Sequence, residues 1–187
     1  MRVNGTAIAL VMLVAGQSAA AQDQPPNTPT ILECIGDISG KGINAPADVL
    51  VPDSSSGDGN TYTVNGNLLT VNGGSGFPDV RLQLCQSSDT AYVYQNDCTA
   101  NRQTYVADWL AMKDFNVNTS PFYKKYKNSG YQLQIVSVDR VSLHVHDESL
   151  SGHVRNDVSK AMTSSTLTPY LIAISYTASC KIVKPKI

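Results

Sequence analysis

Charge is scarce in this chain. Only 16% of its 187 residues are Asp, Glu, Lys or Arg, and the formal net charge is −1. So even a balance offers no electrostatic hold on a polyanion or an anionic bilayer, and neither nucleic acid nor a membrane surface is expected as a partner. Long apolar runs are missing too. No segment approaches the roughly 20 consecutive apolar residues that a membrane helix needs, so no membrane span is expected. The sequence motifs that announce chemistry are also absent: there is no C-x-x-C, G-x-S-x-G, S-x-x-K, G-x-G-x-x-G or Walker spacing. That leaves no case for a redox pair, an activated serine or a phosphate cradle. Paired carboxylates of the glycosidase kind are defined in space rather than along the chain, so on them the sequence is silent.

What is present begins with an address. Met1 and Arg2 carry the positive charge, residues Ala7 to Ala15 form an uninterrupted apolar core, and Ala19-Ala20-Ala21 precedes Gln22. A charged start, a short apolar core and a small-residue cleavage site read as a secretory signal peptide over residues 1–21. The mature protein is then expected to begin near Gln22 and to reside in the periplasm or outside the cell. Without Arg2, 13 basic residues face 15 acidic ones, a net charge of −2. The remaining length suits one domain. Residues 22–30 hold three prolines and no periodicity, which makes them an extended leader to a single domain over 31–187.

Four cysteines follow the leader: Cys34, Cys85, Cys98 and Cys180. An even count behind a signal peptide implies two disulfides. Of the three pairings, Cys85–Cys98 with Cys34–Cys180 is expected. The first pair brackets a hairpin, and the second lies on the first and last strands.

Residues Tyr131 to Asp147 carry the longest alternation of apolar and polar side chains, the pattern of a half-buried strand. Leu133 and Ile135 share one face, and Val141, Leu143 and Val145 repeat the spacing. The polar insert Ser137, Asp139, Arg140 is either a bulge or a tight reversal. Ile31 to Ile38 reads as a first strand. Ser39 to Asn60, rich in Gly, Pro, Ser and Asp, reads as a loop, most flexible over Ser54 to Gly59. Asn65-Gly66, between the β-prone flanks of Thr61 to Val71, predicts a two-residue type I′ hairpin. Asn72 to Gly76 is a glycine-rich turn. Val80 to Cys85 and Ala91 to Gln95 form another strand pair, turned by Ser87-Ser88-Asp89. Leu167 to Val183 is the last long strand, with Leu171, Ala173 or Ile174, and Tyr176 on its buried side.

Between residues 100 and 130 the pattern changes. Trp109, Met112 and Phe115 fall at helical spacing, and Ser120-Pro121 followed by FYKKYKNSG reads as an N-cap, a proline at the first helical position and a glycine stop. Two short helices over one end of the β domain are expected, inserted between the fourth and fifth strands. Lys124, Lys125 and Lys127, with Tyr123 and Tyr126, form either a solvated helix face or a site for an anionic or sugar ligand. Val154, Val158 and Met162 recur at i, i+4, i+8 within the polar stretch 148–165, which permits a third short helix.

The C-x-G of Cys34 to Gly36, the V-D-R-V of Val138 to Val141 and the closing Y-x-x-x-C-K of Tyr176 to Lys181 resemble a loose group of small exported bacterial proteins of proteobacterial type. Members open with a Cys-containing strand, centre on an I-D/N-R-V-T-G strand and close on a Cys strand followed by Lys. This chain has Ser142-Leu143 where the group has Thr-Gly. The resemblance implies the long disulfide and an envelope address, and brings no chemistry with it.

His144-Val145-His146 puts two imidazoles on one face of a strand, a recurring metal pair, and His153 lies close along the chain. These three are the candidate metal ligands, zinc the metal they would take, and no other cofactor is implied. The competing reading is an exposed polar strand face. The expectation is therefore a mainly β protein, an antiparallel β-sandwich or closed β-barrel with a short helical insert. It would act as a non-enzymatic, monomeric binding module for a small ligand or a protein or glycan surface. The metal cluster supplies the alternative function, a metal carrier or metal-dependent enzyme.

Overall fold

The computed structural model describes residues 28–72, 80–158 and 165–183; residues 1–21, the expected signal peptide, and most of the expected leader lie outside them. Eight strands run in chain order: β1 (Thr30–Ile43), β2 (Ser55–Asn65), β3 (Leu68–Asn72), β4 (Val80–Ser87), β5 (Ala91–Gln95), β6 (Gln132–Asp139), β7 (His144–Val158) and β8 (Ser165–Val183). Helices α1 (Arg102–Leu110) and α2 (Pro121–Lys125) lie between β5 and β6. Each strand pairs antiparallel with the next, and β1 also pairs with β8 from Ile31↔Val183 to Ile43↔Leu171, so the sheet closes into a barrel. This is the mainly antiparallel β fold with a helical insert expected above. Closure leaves the shared stretch of the ladder without a free edge.

Inward positions follow the period of two. Leu32, Cys34, Tyr62, Val64, Leu69, Val71, Leu82, Tyr92, Tyr94, Val136, Val138, Val145, Tyr176 and Ala178 are buried in one interior cluster. A barrel of eight strands is just wide enough for side chains to fill it. A second apolar layer lies outside the barrel: Leu133, Leu150, Leu171 and Ala173 face outward from β6, β7 and β8 and are covered by Tyr105, Trp109, Met112, Phe122 and Tyr126 of the insert. The helices thus pack on the barrel wall, not over one end. Leu171 and Ala173 join this outer layer whereas Tyr176 belongs to the inner one, so the buried side of β8 changes along its length.

The start of α2 is as read; that of α1 was not singled out, and because α1 ends at Leu110, Met112 and Phe115 lie beyond it rather than on one helix with Trp109. The Asn101 side chain accepts from the Gln103 and Thr104 amides, and Ser120 accepts from the Phe122 amide ahead of Pro121 at the first turn, each satisfying an orphan donor. The insert follows the fifth strand rather than the fourth: the hairpin read within 61–72 contributes two strands, β2 and β3, to the count. In that hairpin Asn65 pairs with Leu68, leaving Gly66-Asn67 as the loop. Positive φ falls only on Gly66, at 56°, as a type II′ rather than a type I′ turn requires.

Three loop or helix expectations give way to strands. β1 runs on to Ile43 and β2 begins at Ser55, where Gly36, Asp37 and Ile38 pair with Asp58, Ser56 and Ser55 across a bulge. The glycines there mark close approach rather than flexibility: a Cβ on Gly40 would stand 2.3 Å from the Pro52 carbonyl oxygen, where the 44–54 connection folds back on β1. The third helix is instead the far half of β7, which pairs with β8 to Val158↔Ser165. A spacing of four is a multiple of two as well as one helical turn, so Val154 and Val158 share a strand face equally well; Met162 lies outside the described residues. At the centre of the chain the reversal prevails over the bulge. Asp139 Oδ1 accepts from the Val141 and Ser142 amides, both at 2.8 Å, and Leu143 takes φ 55°. Val141 is therefore 79% exposed in a turn and shares no face with Val145.

The antiparallel order gives the barrel two different ends. Tight turns at 66–67, 88–90 and 140–143 close one, and the connections 44–54 and 96–131 leave from the other. No helix among the described residues is long and apolar enough to cross a membrane.

Candidate functional site

His144 and His146 lie on the outer face of β7, exposed, opposite Ser179 and Thr177 of β8. His144 Nε2 is 3.1 Å from Ser179 Oγ, and His146 Nδ1 is 3.1 Å from Thr177 Oγ1. The first contact has the length of a nucleophile–base pair, but the same contact recurs two residues along with a threonine in the serine's place. Strand register, rather than an assembled triad, accounts for both. His153 is seven residues beyond His146, an odd number, which turns it to the opposite face roughly 23 Å further along the strand. There it stacks on Tyr170 at 5.2 Å. The three histidines therefore do not converge, and among the described residues no three His, Cys, Asp or Glu side chains are placed to hold a metal ion. This arrangement weighs against the metal reading.

The cysteines pair as expected, Cys34–Cys180 and Cys85–Cys98. Cys34 and Cys180 are direct cross-strand neighbours on β1 and β8. The short bridge ties β4 to the chain just after β5, at the root of the insert.

One recess among the described residues lies in that insert. A groove of about 460 Å³ runs between the end of α1 and the start of α2, lined by Asp108, Ala111, Met112, Lys113, Asp114, Ser120, Pro121, Phe122 and Lys125. Met112 and Phe122 are 8% and 5% exposed and form its apolar floor. Its rim is charged. Lys125 Nζ stands 2.7 Å from Asp108 Oδ2, which also accepts from the Tyr126 hydroxyl at 2.8 Å. Asp114 accepts from the Thr119 hydroxyl at 2.7 Å and from the Asn116 amide at 2.9 Å. These bonds hold both carboxyls below the usual aspartate range, the Lys125 bond acting first at Asp108 and the Thr119 bond first at Asp114. The groove is held rigidly. Trp109 sits on the barrel against Gly152 and donates to the Tyr170 carbonyl at 2.9 Å, and Arg102 spans to Glu148 of β7 with two bonds of 2.7 and 2.8 Å.

Of the Lys-Tyr run singled out in the sequence, Lys125 borders this groove, Tyr126 is fully buried against Tyr105 and Phe122, and Lys124 and Lys127 are exposed beside it. Sequence reasoning missed Asp108, Lys113 and Asp114. The Ser120-Pro121 cap marks where the chain turns back on itself, and that was the available signal.

One further polar cluster is internal. Asp147 faces into the barrel, 7% exposed, and accepts from the Tyr62 hydroxyl at 3.0 Å and from Gln134 Nε2 at 3.0 Å. Burial raises its pKa, with the Gln134 and Tyr62 bonds opposing. Burial also pushes the Tyr94 hydroxyl up to about 12, and that hydroxyl has no hydrogen-bond partner among the described residues. This cluster is a specified polar core more than an open site. Comparison of the chain with protein-family models, with curated proteins and with solved structures finds no match in any of the three.

Proposed function

We propose that the protein is an exported, non-enzymatic binding module of the periplasm or cell exterior, which takes a small ligand in the groove between α1 and α2. The observation that carries this reading is the groove's anatomy: a buried apolar floor of Met112 and Phe122 inside a charged rim. Concave sites of roughly 300–1,000 Å³ with few, placed polar groups are what small ligands use. Its position fits as well. A closed, doubly stapled barrel is a stiff support, and recognition concentrates in the long connections that such a scaffold holds in place. Export supplies the oxidising surroundings in which both disulfides persist.

The test is a thermal-shift screen of small organic compounds against the wild type and against Ala111→Trp, which fills the groove from an exposed position. Compounds that raise the wild-type melting temperature are expected to lose that effect in A111W, whose own melting temperature stays close to wild type. If no compound shifts the wild type, or if the shifts persist in A111W, the groove is not the binding site.

A further inference from the structure

Resting on that reading, we propose that the groove selects small organic anions with an apolar body, the body seated on Met112, Phe122 and Pro121 and the anionic group at Lys113. The rim carries four charged side chains, Asp108, Lys113, Asp114 and Lys125. Three are already engaged. Lys125 pairs with Asp108, whose carboxylate also takes the Tyr126 hydroxyl. Asp114 has one oxygen on the Asn116 amide and the other on the Thr119 hydroxyl. Among the described residues, the exposed ammonium of Lys113 is the charge on the rim without such a partner, and it stands next to the apolar floor. Ligand charge of the opposite sign is what it can stabilise.

The wider surroundings have the same sign. From Asp97 to Tyr131 the insert holds five basic residues, Arg102, Lys113, Lys124, Lys125 and Lys127, against three acidic, Asp97, Asp108 and Asp114. That is +2 in a chain of net −1, so the remaining residues sum to −3. An anion approaching the protein is therefore drawn to the insert and repelled elsewhere. A neutral apolar compound would use the floor alone. A cationic one would meet Lys113 head on.

Two fluorescent probes separate the terms: 8-anilinonaphthalene-1-sulfonate, and N-phenyl-1-naphthylamine, which has the same aromatic body without the sulfonate. The wild type is expected to bind the sulfonate more tightly by about fivefold, the upper scale of one solvent-exposed ion pair. Lys113→Glu should abolish that preference, and A111W should weaken both. Equal affinities in the wild type, or a preference that survives K113E, would overturn the anion selectivity while leaving the groove standing as a binding site if A111W still weakens both probes. If A111W weakens neither probe, both the selectivity and the groove reading fall. Lys113 is exposed, and an unchanged melting temperature for K113E confirms that the variant is folded.

Discussion

Asp147 shows what a single side chain can impose on the molecule. Its carboxyl is buried among interior apolar residues, and desolvation raises its folded pKa above the unfolded value of about 3.8. Below that value both states hold the proton and nothing distinguishes them. As pH rises through 3.8 toward the raised folded value, the native state binds more protons than the unfolded chain, so this residue's contribution to stability falls. Wild type should therefore lose melting temperature relative to Asp147→Asn as pH climbs from about 4 to about 8. Other carboxyls affect both proteins alike, so the difference isolates this group; parallel curves would show that Asp147 is not the source. Leu143 is the other instructive residue. It adopts φ 55°, a left-handed backbone that favours glycine, and its carbonyl accepts the Cys180 amide at 2.9 Å. The Asp139 carboxylate, bonded to two turn amides, carries the reversal without glycine.

At the scale of elements, the insert and β7 form one unit through Trp109 and Gly152. A Cβ on Gly152 would stand 2.5 Å from the indole ring, a distance that well-packed atoms do not reach, so Gly152→Ala must lift the ring or move the strand. Such overpacking costs about 1–3 kcal/mol. Trp109 is the chain's one tryptophan, so its emission reports the seating of α1 directly. Gly152→Ala should shift that emission to the red and expose the insert to proteolysis while the far-ultraviolet β signal persists. An unshifted spectrum would mean that the insert is held by its remaining contacts. The Ser120-Pro121 start of α2, with Tyr123 and Tyr126 after it, was legible along the chain, whereas the Asn101 cap of α1 was not. The insert's resting place on the outer wall was not legible either, because Leu150 falls in a stretch that reads as polar and Leu171 reads like any other alternating strand residue.

For the whole molecule, the long disulfide matters most. Cys34 and Cys180 are 146 residues apart, against 13 for Cys85 and Cys98. Restricting the unfolded chain over the longer loop stabilises by about 5 kcal/mol, and over the shorter by about 3 kcal/mol. The Cys34→Ser/Cys180→Ser pair should accordingly lose more stability in urea than Cys85→Ser/Cys98→Ser. The reverse order would show that the short bridge, through the root of the insert, governs the fold. Period-two alternation and cysteine position along the chain were enough to establish the β class and both bridges, because strand faces and loop-closing partners are local or terminal properties. Strand extent, the turn type at Gly66 and the fate of the histidines were decided only when the barrel closed. Backbone pairing across distant strands drew glycine- and serine-rich segments into β1 and β2, and an odd spacing along one strand sent His153 to the face opposite His144 and His146. The groove belongs to the same category: Asp108, Lys113 and Asp114, at the end of α1, meet Pro121, Phe122 and Lys125 of α2 across it because two short helices fold back on each other over the barrel wall.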